Sequence, residues 1–183
     1  MKKKSKKFYA QYPFKIVDKY VFHSNASPEE LASRIINFMY NLNGKQERIV
    51  IKTSSGEEKE GRREYNVLVA ENGRFREMKW SITLEIIEHL KRGYLRKYPI
   101  DFKLRVRHSY EKNGRRVGMR SDEISIRLAI IESKLVMFCK PTSGMKRFKP
   151  EDLIKRIYVD LKERISEEVE VTSVFGEVMP QLI

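Results

Sequence analysis

The sequence predicts an α+β protein in which a mostly antiparallel sheet is backed by two or three helices. The clearest signal lies between residues 101 and 140, where apolar and polar residues alternate as on a strand with two different faces. Asn113-Gly114 interrupts this stretch, and both residues tolerate the positive φ of a tight hairpin turn. Apolar residues at helical spacing before and after the stretch predict the helices. Together these patterns favour a sheet with an apolar back and a basic front.

The N-terminal half begins with a strand over residues 14–23 and continues into a helix. Ser27-Pro28-Glu29-Glu30 has the order of an N-cap, a first-turn proline and a capping-box acid, and Asn43-Gly44 ends the helical pattern. Two short strands, 48–53 and 64–70, follow. The next run has both strand and helix periodicity, and its length and its content of Glu, Leu and Lys favour a helix over 77–92.

The C-terminal half contains the alternating strands and a last helix. Pro150-Glu151-Asp152 predicts the start of that helix, because proline fits its first turn and acids suit its positive end. The final residues, 169–183, are acidic and then apolar. Four roles stay open for this tail: an edge strand over Val169 to Phe175, a cover for the core, a contact with another subunit, or an intramolecular acidic screen beside the basic surface.

The order of elements resembles a split βαββαβ, ferredoxin-like core with a C-terminal ββα extension. If residues 77–92 form a strand instead, the order resembles a helix-grip arrangement, in which the last helix lies across a curved sheet. The predicted organisation is a basic flexible arm over 1–13, a single α+β domain over 14–168, and the acidic and apolar tail over 169–183.

The net charge of the 183-residue chain is +13 and its pI is about 9.8. Such an imbalance opposes compactness and indicates an anionic partner, with nucleic acid first, although a charge-rich thermophilic surface is an alternative reading. Cys139 is the one cysteine, so no disulfide framework is predicted. No apolar run approaches membrane-spanning length and no secretory signal is present. We therefore expect a cytoplasmic, nucleoid or nuclear location and no membrane partner.

The predicted contact residues are cationic side chains of the sheet and its hairpin, together with aromatic residues of the N-terminal arm. Arginine pairs with phosphate through a planar fork, and aromatic rings can stack on bases. The full set is Lys103, Arg105, Arg107, Lys112, Arg115, Arg116, Arg120 and Arg127, with Phe8, Tyr9 and Tyr12.

No catalytic motif stands out: phosphate-binding glycine loops, a nucleophile elbow and metal-ligand histidine spacing are absent from the sequence. Asp18, Asp101, Asp122 and Glu123 are the carboxylates that a metal-dependent nuclease could use, and the simpler interpretation is turns and ion pairs. The sequence thus predicts a non-enzymatic nucleic-acid-binding protein without cofactor or metal, favouring single-stranded DNA or RNA. A nucleic-acid-processing enzyme, or a subunit of a larger nucleoprotein assembly docked by the tail, remains an alternative.

Overall fold

A computed structural model of the chain describes residues 6–10 and 16–178. Within them, three helices pack against one face of a nine-stranded sheet. The helices are α1 (Pro28–Leu42), α2 (Trp80–Lys91) and α3 (Pro150–Arg164), and a short 3-10 turn spans Tyr94–Arg96. The strands are β1 (Ile16–Ser24), β2 (Gln46–Lys52), β3 (Glu58–Glu71), β4 (Arg74–Glu77), β5 (Ile100–Lys112), β6 (Arg115–Gly118), β7 (Asp122–Ile131), β8 (Lys134–Ser143) and β9 (Val169–Val178). No helix in these ranges is both long enough and apolar enough to cross a membrane.

The strands lie in the order β2-β3-β5-β7-β8-β1-β9, with β4 added beside β3 and β6 beside β5. Every described pairing is antiparallel, which confirms the α+β class with an antiparallel sheet. The ferredoxin-like detail is not confirmed, because a βαβ unit joins parallel strands whereas β1 pairs antiparallel with β8 and β9. The strand that the helix-grip order requires over 77–92 is also missing, since α2 occupies this run.

The two N-terminal helices form for different reasons. In α1 the Ser27 hydroxyl accepts a hydrogen bond from the Glu30 N–H at 3.1 Å, so the predicted N-cap is confirmed. Lys79 precedes α2 and gives it no side-chain cap. The buried stripe of α2 consists of Ile82, Ile86 and Leu90, spaced four residues apart. Trp80 and Leu84 also lie on α2, but both side chains are exposed.

The core lies between the helices and the back of the sheet. The buried side chains there include Tyr65 and Val67 of β3 and Phe102, Leu104 and Val106 of β5. We call the other side of the sheet the front face. A smaller buried cluster of Val17, Val136 and Phe138 lies on the front face of β1 and β8. The front face is therefore apolar near β1 and polar near β3 and β5.

Residues 6–10 lie across the strand ends beside the 3-10 turn. The Phe8 N–H donates to the Tyr94 hydroxyl at 2.6 Å, and the Asp101 N–H donates to the Phe8 carbonyl at 2.8 Å. At the other end of the chain, β9 pairs with β1 as an outermost strand. Of the four roles left open for the tail, the edge strand is the one that the structure shows.

Candidate nucleic-acid interface

The alternation predicted for β5 is confirmed and separates core from surface. Leu104 and Val106 are completely buried on the back, whereas Arg105 and Arg107 are exposed on the front, with Lys103 half-buried beside them. Since successive strand residues point to opposite faces, the three cations share the front face. The basic face that the sequence predicts is present.

The neighbouring strands extend this basic face toward the hairpin ends. We call residues 46–64 and 107–118 the arm; it comprises the β2–β3 hairpin and the β5–β6 hairpin. In the arm, Arg48 of β2 lies opposite Arg62 of β3, and Arg62 lies opposite Ser109 of β5. Two steps along, Glu64 lies opposite Arg107. The registers therefore bring arginines from three neighbouring strands onto one surface.

Two shallow grooves, of about 450 and 200 Å³, run over this surface and share three lining residues, Arg62, Ser109 and Arg116. Arg48 lines the larger groove, and Arg107 lines the smaller one. Beneath the larger groove, Gly61 allows β3 to lie close to its neighbours. A Cβ at this position would lie 2.8 Å from the Ser109 carbonyl oxygen and would overlap the Ile51 side chain. The floor is thus backbone, and the walls are mostly charged side chains.

We define the arginine cluster as Arg48, Arg62, Arg107 and Arg116. All four side chains are exposed, and none forms a salt bridge to a described residue. Like charges that lie directly opposite on a sheet are destabilising, as for Arg48 and Arg62. Arg107 lies opposite Glu64, and Arg116 lies opposite Glu111, although neither pair forms a salt bridge. Only the Arg48–Arg62 pair therefore weakens the fold locally, and an anionic ligand would compensate these two charges.

The two cations nearer the core are partly compensated. Arg105 Nε donates to Glu123 Oε2 at 2.8 Å, and Lys103 Nζ lies 3.8 Å from the other carboxylate oxygen. Burial disfavours the charge on Glu123, but the Arg105 hydrogen bond and the nearby Lys103 hold the pKa of Glu123 below its usual value. Lys103 Nζ also lies 4.8 Å from the centre of the Phe75 ring. These two predicted residues have weaker grounds for ligand contact than the cluster.

The β5–β6 turn has the predicted conformation, with Asn113 at φ 51° and Gly114 at φ 72°. The remaining predicted cations of the hairpin region are exposed around it: Lys112, Arg115, Arg116 and Arg120. The second hairpin tip, Thr53 to Glu57, projects from the same end of the sheet, since β3 and β5 pair antiparallel with Gly61 opposite Tyr110. Both tips therefore border the same basic surface.

Arg127 was predicted as a contact residue, and this prediction is wrong. Its side chain is on the front face but only 6% of the residue is exposed. Its Nε and Nη2 donate to the two oxygens of Asp101 at 2.7 and 2.8 Å, and Nη2 also donates to the Ala10 carbonyl at 2.8 Å. Burial raises the pKa of Asp101, and the guanidinium opposes that effect. Arg127 is buried because residues 6–10 cover this end of the front face.

The aromatic residues of the predicted N-terminal segment, residues 1–13, also have structural partners. Phe8 is completely buried against His89 and Tyr94, so it is not available to stack on a base, and that prediction is wrong. Tyr9 stacks on Tyr98 with ring centres 5.7 Å apart. Tyr12 lies outside the described residues. The described aromatic residues at the N-terminus thus stabilise the fold at the end of the sheet opposite the hairpin tips.

The four carboxylates considered for a nuclease do not converge. Asp101 is paired with Arg127, and Glu123 with Arg105. Asp122 accepts backbone N–H bonds from Lys146 and Phe148, and Asp18 accepts a long one from Gly176. Within the described ranges, no three His, Cys, Asp or Glu residues are grouped as metal ligands. Each carboxylate thus has a structural partner.

His108 is a buried titratable group on the back face of the arm. Arg63 Nε donates to His108 Nε2 at 3.1 Å, so the ring proton lies on Nδ1. Nδ1 has no hydrogen-bond acceptor among the described residues, and the closest carboxylate oxygen, Asp122 Oδ2, is 4.0 Å away. Burial lowers the pKa of His108, and the charge of Arg63 adds to this effect. His108 is a neutral structural residue at the root of the arm.

The sequence interpretation missed Arg48 and Arg62. Both lie in segments predicted as a short strand and a polar loop, and β3 extends through that loop from Glu58. A signal was present between Lys59 and Glu64, where every second residue is charged. The pairing of β2 with β3 was needed to show that Arg48 and Arg62 share one face.

No protein-family model matches this chain, and no curated protein or solved structure is significantly similar to it.

Proposed function

We propose that this protein binds nucleic acid without catalysing a reaction on it, and that the front face of the arm is the contact surface. The observation that supports this proposal most directly is the arginine cluster, whose four exposed guanidinium groups border two connected grooves without described salt-bridge partners. The net charge of +13 adds long-range attraction for any polyanion.

Phosphate is the chemical group that such a surface suits best. A guanidinium presents several N–H donors in a plane and binds phosphate oxygens in pairs. The exposed hairpin cations Lys112, Arg115 and Arg120 widen the positive surface around the cluster. Binding to phosphates releases counterions, so the affinity should fall steeply as salt increases.

The test is a charge reversal with a matched control. Arg62→Glu with Arg107→Glu removes two central cations of the cluster, whereas Arg74→Glu with Arg92→Glu makes the same charge change at exposed positions outside the arm. We expect the first variant to lose about a hundredfold or more in affinity for a labelled nucleic acid, since each charged hydrogen bond contributes about 1.5–3 kcal/mol. The control should change far less. Equal losses would show that net charge alone drives binding and would contradict the proposal.

We also propose that the β9 edge takes a protein partner, as the predicted role of the tail in assembly suggests. The supporting observation is that β9 is an outermost strand in which Val174 and Phe175 are 44% and 60% exposed. Substituting Val174→Lys and Phe175→Lys should shift the oligomeric state measured by light scattering if the partner is a second copy. An unchanged monomer before and after the substitution would contradict self-association.

A further inference from the structure

We infer that the nucleic acid bound by the arginine cluster is double-helical and is held by the phosphates of both strands. This inference rests on the proposed function and specifies its ligand. The first observation is the chemistry of the surface. None of the front-facing residues of the arm is aromatic. They are five cations, four glutamates and four neutral residues: Gln46, Arg48, Val50, Lys52, Glu58, Glu60, Arg62, Glu64, Arg107, Ser109, Glu111, Arg116 and Gly118.

Proteins that hold single strands usually stack successive bases on aromatic side chains, which contributes a large part of their affinity. In the arm, Tyr110 lies on the back of β5, and Lys59 Nζ lies 5.4 Å from the centre of its ring. The exposed Trp80 is on a helix and contacts Tyr40, and Tyr98 is stacked on Tyr9. Tyr110 also lines the larger groove, but its position in the register is on the back face of β5. None of these rings therefore lies on the front face of the arm.

The second observation is the spread of the cluster over the sheet. Its four arginines belong to four neighbouring strands, β2, β3, β5 and β6. Three strand spacings of 4.7–4.9 Å place the backbone positions of the outer two, Arg48 and Arg116, about 14 Å apart across the strands. This spread is close to the width of the major groove of B-form DNA, which is about 12 Å. Arginine side chains that start from positions at this separation can contact the two backbones that border a groove, whereas a single strand provides only one line of phosphates.

Charge density favours the same ligand. A DNA duplex carries one negative charge for about every 1.7 Å of its axis, counting both strands. A surface that binds only phosphates should have its highest affinity for the ligand with the highest density of phosphates. Such a surface makes no stacking contacts with bases, which could compensate for a lower density of phosphates. The arm is also too wide to enter a groove as a ribbon, so it should lie over the groove.

The experiment compares unmodified ligands of equal length on the full chain. Fluorescence anisotropy would measure the affinity for duplex DNA, duplex RNA and unstructured oligo-dT of about 24 units at about 50 and 200 mM salt. We expect one of the duplexes to bind about tenfold or more tightly than oligo-dT. Equal or tighter binding of oligo-dT would overturn the inference and leave the proposed function intact. Failure of all three ligands to bind at low salt would overturn both.

A variant pair tests the two-backbone geometry. Arg48→Ala with Arg116→Ala removes the outermost arginines of the cluster, and Arg74→Ala with Arg92→Ala removes the same charge elsewhere. The outer variant should lose more affinity for the duplex than for oligo-dT, so that the ratio of the two affinities falls, while the control keeps this ratio. If the outer variant loses the same factor for both ligands, contact with two backbones is contradicted. Thermal unfolding of each variant confirms that it is folded.

Discussion

Arg127 and Arg62 lie on the same face of one sheet, in strands with alternating patterns, yet their surroundings are opposite. Arg127 is almost fully buried, and its guanidinium donates to Asp101 and to the backbone of residues 6–10. Arg62 is exposed, borders both grooves, and lies across from another arginine. The N-terminal segment makes the difference, because it covers one end of the front face and leaves the arm open. A basic strand pattern therefore identifies a face, and the cover over that face decides which cations are available to a ligand.

Of these substitutions, we expect Arg127→Met to have the largest effect on stability. A small effect would contradict the contrast drawn between Arg127 and Arg62. The substitution leaves Asp101 buried without its cation, which should lower the free energy of unfolding by about 3–5 kcal/mol. Urea denaturation measures this loss. Adding Asp101→Leu should recover part of the stability, because removing both partners of a buried pair is often nearly neutral. A single variant with normal stability and weakened nucleic-acid binding would mean that Arg127 belongs with the arginine cluster.

His108 lies on the back face of the arm, beneath the open region, and gives a prediction for pH. Its pKa in the folded protein is lowered from 6.5, so the unfolded chain takes up a proton at a higher pH than the folded chain does. Stability contributed by neutral His108 is therefore complete above pH 6.5 and is lost as the pH falls toward the folded-state pKa. The unfolding free energy should decrease between about pH 7 and 5, and His108→Gln should flatten this decrease. An equally steep decrease in the variant would assign it to other groups.

Arg62→Thr has the smallest expected effect on stability, and its sign is opposite to that of Arg127→Met. Removing one of two directly opposed arginines should raise the free energy of unfolding by about 0.2–1 kcal/mol. The same substitution should lower affinity for nucleic acid and reduce the slope of log K against log salt by about 0.9 for duplex DNA. Arg74→Thr serves as the control, since it lies outside the arm. Loss of stability in Arg62→Thr would indicate that the cluster supports the fold.

Local patterns predicted the elements well where one face was clearly apolar. The alternation of β5, the turn at Asn113-Gly114 and the Ser27 cap all depend on nearby residues, and the structure contains each of them. The strand order could not be predicted from the sequence, because β1 pairs with β8 and β9, which are more than a hundred residues away in the chain. Predicting the arginine cluster requires the register between β2 and β3, and no local signal specifies that register.

The burial of Phe8 and Arg127 was also beyond the sequence. A short basic segment with aromatic residues has the same composition whether it binds a base or fills a gap in the core. Here Phe8 fits between His89 and Tyr94, and the backbone on either side bonds to Asn72 and Asp101. These contacts join residues more than sixty positions apart, so alternation and composition carry no information about them.

The salt dependence of binding tests the central claim most directly. The variant that replaces Arg48, Arg62, Arg107 and Arg116 by alanine would be compared with the unmodified protein on the same duplex DNA over a range of salt concentrations. We expect the slope of log K against log salt to become shallower by about 3.6, since each lost phosphate contact contributes about 0.9. A control that replaces Arg74, Arg76, Arg92 and Lys97 removes the same charge from exposed positions outside the arm and should keep the slope nearly unchanged. An unchanged slope in the cluster variant would contradict the assignment of the arm as the phosphate-binding surface.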